Sequence, residues 1–208
     1  MTEEEWLILH PALMMRQIKQ VAPATSRKLR LLAVAYAHYL ESQPDYADAK
    51  HVSHLGEEVL EGRQTLDFLW DDSQRGWGYQ GDWSIANLVL AGDDNLDGKV
   101  RSAFVFSVDR GQRAGLDVSE RPMVARALVL CILANPFRPI ALDPSWLTSN
   151  VLSLAQGIYH ERAFDRLPIL ADALQDAGCE NPEILAHCRS ESPHARGCWV
   201  VDLLLGKY

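Results

Sequence analysis

The side chains best suited to chemistry lie near the end of this sequence, where Cys179, His187, Cys188, His194 and Cys198 fall within one short stretch. Thiolate sulfur and imidazole nitrogen are the ligands that tetrahedral zinc prefers. With Ser192 as N-cap and Pro193 in the first helical turn, His194 and Cys198 stand one turn apart on a single helix face, close enough to share an ion. Two ligands do not close a site. Cys179, just after a helix stop at Gly178, and His187, on a short preceding helix, complete a candidate Cys2His2 set of Cys179, His187, His194 and Cys198. Cys188 suits less well, because neighbours on a helix point in different directions. The C-x7-H-x6-H-x3-C spacing matches no common zinc motif, and buried thiols with hydrogen-bonded histidines account for the same residues without a metal. Both readings stay open. A zinc held by four protein ligands is structural, since no position is left for water.

Other candidates are less complete. Asp93-x-Asn95-x-Asp97-Gly98 imitates the first half of a calcium loop, but the twelfth position, which needs a bidentate Glu, is Phe104. A turn between helices explains these residues better. The sequence has no G-x-S-x-G, G-x-x-x-x-G-K-[ST] or H-E-x-x-H. Arg75-Gly76-Trp77-Gly78-Tyr79 is a glycine-aromatic stretch that reads as a surface connection, with ligand contact as the alternative. Arg27, Lys28 and Arg30 oppose the macrodipole in the first turn of a helix, so a negative group should offset them. Glu3, Glu4 and Glu5 are the local choice, and an anionic ligand or acidic partner is the other. Arg138, Asp172 and Arg196 belong to a run of mixed charges that reads as an ion-pair network. Were those three to converge on a pocket, they would instead be binding or catalytic residues.

The elements that must position these residues are helical. Thr2-x-x-Glu5 has the form of a capping box, and the helix it opens is expected to run through Trp6, Leu9 and Met14 toward Val21. Ser26 is the expected N-cap of a second helix, with Leu29, Leu32, Ala33 and Tyr36 facing inward. A third helix is expected from Pro44 to a stop at Gly62, with a short continuation over Thr65 to Trp70 and a loop from Ser73 to Gly81. Trp83 to Ala91 and Asp97 to Val108 read as further helices. Ser119 caps one that carries Met123, Ala127, Leu130, Cys131 and Ala134 and ends before Asn135-Pro136. Trp146 to Glu161, Pro168 to Ala177, Pro182 to Cys188 and Pro193 to Leu205 complete the series. Leu130, Cys131, Leu170 and Leu174 are expected in the core. No alternating strands flank a hairpin turn.

Composition narrows the function classes. Hydrophobic residues make up 48% and charged residues 23%, as in globular domains, so residues 1–208 are expected to form one domain. The net charge of -8 works against nucleic-acid binding, which depends on displacing counterions with Lys and Arg. An acidic start, Thr2-Glu3-Glu4-Glu5, and four sparse cysteines suggest a cytoplasmic protein with reduced thiols.

The carboxy-terminal third carries NPFRP, WLT, ERAFDRLPILADAL, AGC and RGCWVVDLLLGK. It resembles the ending shared by an uncharacterised bacterial family of planctomycete type, and TEEEW with the Ser26–Ala35 segment resembles that family's start. Tyr36-Ala37-His38-Tyr39 departs from the family's Cys-Cys-Arg-Arg-like run. The resemblance implies no particular activity.

These readings together lead us to expect an all-α, irregular multi-helix fold serving as a non-catalytic module that binds another protein, with no membrane association. One alternative is an enzyme using polar residues of the carboxy-terminal third; another is a small accessory protein containing structural zinc. If the Arg27, Lys28 and Arg30 turn only pairs locally, Lys28→Glu should change stability by ~0–1 kcal/mol in a denaturant melt. Loss of a captured partner at unchanged melting temperature would mark a binding surface instead.

Overall fold

The computed structural model describes residues 1–21, 25–46, 52–63 and 96–207. Among them the fold is all-α, with ten α-helices and no strand, and no helix is long and apolar enough to cross a membrane. The chain divides into two compact units, Met1–Val129 and Leu130–Tyr208, and the division falls inside a helix rather than at a linker.

The first unit opens with α1 (Glu3–Ile8) and α2 (Pro11–Val21). The expected capping box is present: Glu5 N–H donates to Thr2 Oγ1 at 3.2 Å and Thr2 N–H to Glu5 Oε2 at 2.7 Å. The single helix expected to run on toward Val21 is broken, because Pro11 cannot donate to the ladder and disfavours α geometry before it. Leu9 turns to ψ 142, and His10 restarts the chain by accepting from the Ala12 amide through Nδ1 at 3.3 Å. Helix α3 (Ser26–Glu41) is capped by Thr25, not Ser26, with Thr25 Oγ1 accepting from Lys28 N–H. Its inward residues are those expected, and Leu32, Ala33 and Tyr36 are fully buried.

Of the helix expected from Pro44 to Gly62, the described residues form a 3-10 turn at Pro44–Tyr46 and α4 (Val52–Leu60), which stops at Gly62, where φ is +68°. Helix α5 (Leu96–Arg113) packs on α2 and α3. Asp97 and Gly98 lie in α5, whereas Asp93 and Asn95 of the half calcium loop, the Arg75–Tyr79 stretch and the segments 65–70, 73–81 and 83–91 lie outside the described residues.

A buried ion pair ties this unit together. Arg121, on α6 (Glu120–Leu133), is 1% exposed and reaches both carboxylate oxygens of Asp45, at 3.0 and 2.5 Å. It also donates to the Ser107 carbonyl, while Arg110 donates to the Asp45 carbonyl at 2.6 Å. Both guanidiniums stand over the Tyr46 ring, 4.6 Å away for Arg110 and 5.7 Å for Arg121. Gly111 leaves the space for this, since a Cβ there would come within 2.2 Å of Val118 Cγ1 and 2.8 Å of Arg121 Nη1.

Helix α6 also carries a correction. Leu130 is only half-buried and Met123 is 72% exposed, while Leu128, Val129, Cys131 and Ile132 are buried. The helix is apolar on most of its circumference, so hydrophobic spacing does not define its phase. It ends at Ala134, in the left-handed region at φ +60°, two residues before Pro136.

The second unit is a layer of short helices. α7 (Ser149–Glu161) is capped by Thr148, α8 (Leu167–Asp176) ends at Gly178 with φ +87°, α9 (Pro182–Cys188) is capped by Asn181, and α10 (Trp199–Leu205) ends at Gly206. Leu170 and Leu174 of α8 are fully buried, as expected. The last helix does not start at Pro193. Gly197 sits at φ +95°, a conformation that a helix interior excludes, so residues 189–198 form an irregular crossing.

Truncating Asp45 to Ala leaves Arg121 buried without its carboxylate, and a denaturant melt should show a loss of about 3–5 kcal/mol. A loss below about 1 kcal/mol would mean that water readily reaches the guanidinium.

Candidate metal centre

Three of the four sequence-expected ligands come together, and the fourth is replaced. Cys131, His187, His194 and Cys198 each offer one ligand atom, and these four atoms lie within 4.8 Å of one another. Their sources are four different pieces of structure. Cys131 is on the last turn of α6, His187 on the last turn of α9, His194 in the irregular crossing, and Cys198 at the N-cap of α10. His194 and Cys198 therefore meet across a turn closed by Cys198 N–H donating to the Ala195 carbonyl at 2.9 Å, rather than along one helix face.

Two sulfur–nitrogen distances lie near a tetrahedral edge. His187 Nε2 is 3.2 Å from Cys198 Sγ, and His194 Nδ1 is 3.6 Å from Cys131 Sγ. Zinc bonds of about 2.3 Å to sulfur and 2.0 Å to nitrogen set sulfur and nitrogen ligands roughly 3.5 Å apart. The two imidazoles meet edge to face at 4.8 Å between centroids, and Trp199 lies 5.2 Å from His187, shielding one side. Both sulfurs are buried, and the histidines are half-buried.

Two of the cysteines in this region are shifted in opposite directions. Burial alone would raise the Cys198 thiol, but its hydrogen bonds with Cys131, His187 and His194, and the charge of His187, outweigh that and hold it well below the usual thiol range. That direction favours the thiolate, the form that binds metal. Cys188 is the opposite case: burial first, then the neighbouring Cys198 and Cys179, push its thiol up, so it stays neutral.

Cys179 stands outside the cluster for a local reason. It closes the left-handed turn after α8, donating its N–H to the Leu174 carbonyl at 2.9 Å, and its thiol is occupied by the Asn181 amide at the start of α9. Burial raises this thiol as well. The vacancy in the ligand set is filled by Cys131, which no spacing rule connects to the carboxy-terminal residues.

The charged candidates have separate partners. Arg138 pairs with Glu183 at the start of α9. Asp172 pairs with Arg189 at 2.7 Å, and Arg189 also donates to Gln175, joining the ends of α8 and α9. Arg196 donates to the Tyr159 carbonyl at 3.2 Å with its guanidinium 4.9 Å from that ring. Arg27, Lys28 and Arg30 are half-buried at the start of α3, and each is engaged in further interactions. No family model, curated protein or solved structure matches the chain.

Cobalt(II) offered to the protein should give thiolate charge-transfer absorption that Cys131→Ser weakens and Cys179→Ser leaves unchanged. The reverse pattern would return Cys179 to the ligand set.

Proposed function

We propose that the chain is a non-catalytic helical protein whose carboxy-terminal unit is stapled by one structural zinc ion, and that it works by binding another protein. The observation that carries the reading is the convergence of two buried thiols and two imidazoles, with all four ligand atoms within 4.8 Å. Cys131, His187, His194 and Cys198 would hold the ion, which when bound supplies cross-linking rather than Lewis-acid chemistry. Four protein ligands fill a tetrahedral zinc and leave no place for water or substrate. The donor chemistry agrees, since a Cys2His2 set suits zinc better than the oxygen-seeking calcium or magnesium.

A protein partner fits the charge: at -8, the chain repels phosphate backbones. A reducing, cytoplasmic setting fits four free cysteines, two of which serve as ligands. The proposal extends to the resembling bacterial family through its RGCW motif, which here contains Arg196, Gly197 and the ligand Cys198.

Protein purified without an affinity tag should carry about one equivalent of zinc, and a chelator should lower its melting temperature. Acidification should release the ion as protons compete for the thiolates and imidazoles. Less than about a tenth of an equivalent, with melting unchanged by chelator, would sink the zinc reading.

A further inference from the structure

Ser190 follows the C-cap of α9 and touches both histidines of the cluster. Its N–H donates to the His187 carbonyl at 3.2 Å. Its hydroxyl and carbonyl oxygens lie 3.2 and 3.3 Å from His194 Nε2. The His194 ring is therefore bridged between Ser190 on one edge and Cys131 on the other, where Nδ1 faces the sulfur at 3.6 Å. His187 is oriented the opposite way, with Nε2 toward Cys198 Sγ.

A neutral imidazole has one nitrogen that donates and one that accepts. A metal at Nδ1 takes that lone pair, so the ring proton must sit on Nε2. The Ser190 carbonyl has only lone pairs to offer, and it favours a proton on Nε2. The alternative tautomer would aim two lone pairs at each other and depend on the serine hydroxyl alone as donor. A ligating histidine held through its other nitrogen by a backbone carbonyl is the general arrangement that fixes tautomer and ring orientation.

We propose that Ser190 is the positioning residue of this centre, holding His194 as an Nδ1 ligand while His187 binds through Nε2. The carbonyl selects the tautomer, and the hydroxyl shares the Nε2 proton and fixes the ring plane. Because the Ser190 amide is anchored on the His187 carbonyl, the His194 ring is held from the backbone turn that follows His187. This inference rests on the metal reading proposed above.

The test uses the full-length protein loaded with cadmium-113 and labelled with nitrogen-15 histidine. One histidine should couple to the metal through Nδ1 and the other through Nε2, and mutation of His194 should remove the Nδ1 signal. Ser190→Ala should weaken zinc binding by about tenfold in a chelator competition, with Ser190→Thr, which keeps the hydroxyl, close to the original protein. One bound equivalent with both histidines coupled through Nε2 would overturn the tautomer selection by the Ser190 carbonyl, and an unchanged affinity in Ser190→Ala would overturn the role of its hydroxyl; either result leaves the metal reading standing. Failure to bind either metal would overturn both.

Discussion

The carboxy-terminal unit joins short pieces of chain at two places, a hydrophobic core that takes in Ile184, Val200, Val201 and Leu204 and the meeting of Cys131, His187, His194 and Cys198. Helices α9 and α10 have seven residues each, about two turns, and isolated helices of that length are unstable in water. Between them run ten residues without regular structure that nonetheless end in buried Gly197 and Cys198. A buried irregular segment must satisfy its polar groups through side chains and turns. Here that is done by the His194 to Ser190 contact, the Arg196 to Tyr159 carbonyl bond and the turn at Ala195–Cys198. Each of these bonds offsets part of the conformational entropy lost in ordering the crossing.

The amino-terminal unit solves a comparable problem with charge instead of sulfur. Arg121 and Asp45 lie far apart in sequence and are almost completely removed from water. Desolvating both ions is costly, and bidentate pairing mainly offsets that cost. Its value is in placement: one guanidinium fixes the Pro44–Tyr46 turn, the Ser107 carbonyl of α5 and the start of α6 at once. The Tyr36 hydroxyl adds a 2.6 Å bond to Ser107 Oγ, and burial drives that phenol further above its ordinary range. The price is that Gly111 must stay bare.

How much of this was legible follows from whether the signal is local. The capping box at Thr2, the inward face of α3 and the stops at Gly62 and Gly178 all act within a few residues, and each stands close to where the sequence puts it. Pro11 and Gly197 are local signals too, and each overrides a hydrophobic period that taken alone continues through it. The phase of α6 was not legible, because a helix apolar on nearly every side offers no contrast between faces.

The ligand set marks where sequence reasoning stops. His187, His194 and Cys198 are close in the chain, so any compact fold of that stretch brings them near one another, and pattern alone suffices to nominate them. Choosing the fourth ligand is a different problem, because Cys179 and Cys131 are equally good donors chemically. What separates them is backbone. Gly178 and Asn181 commit the Cys179 thiol to a turn, whereas the left-handed residue Ala134 ends α6 just beyond Cys131 and leaves that sulfur facing His194. The preference is therefore decided by two helix ends remote from each other in sequence, and neither end refers to the candidate cluster in any pattern of residues. Both must fold correctly before four ligand atoms can share one point, which makes the cluster a consequence of the helix termini around it as much as of its own cysteines and histidines.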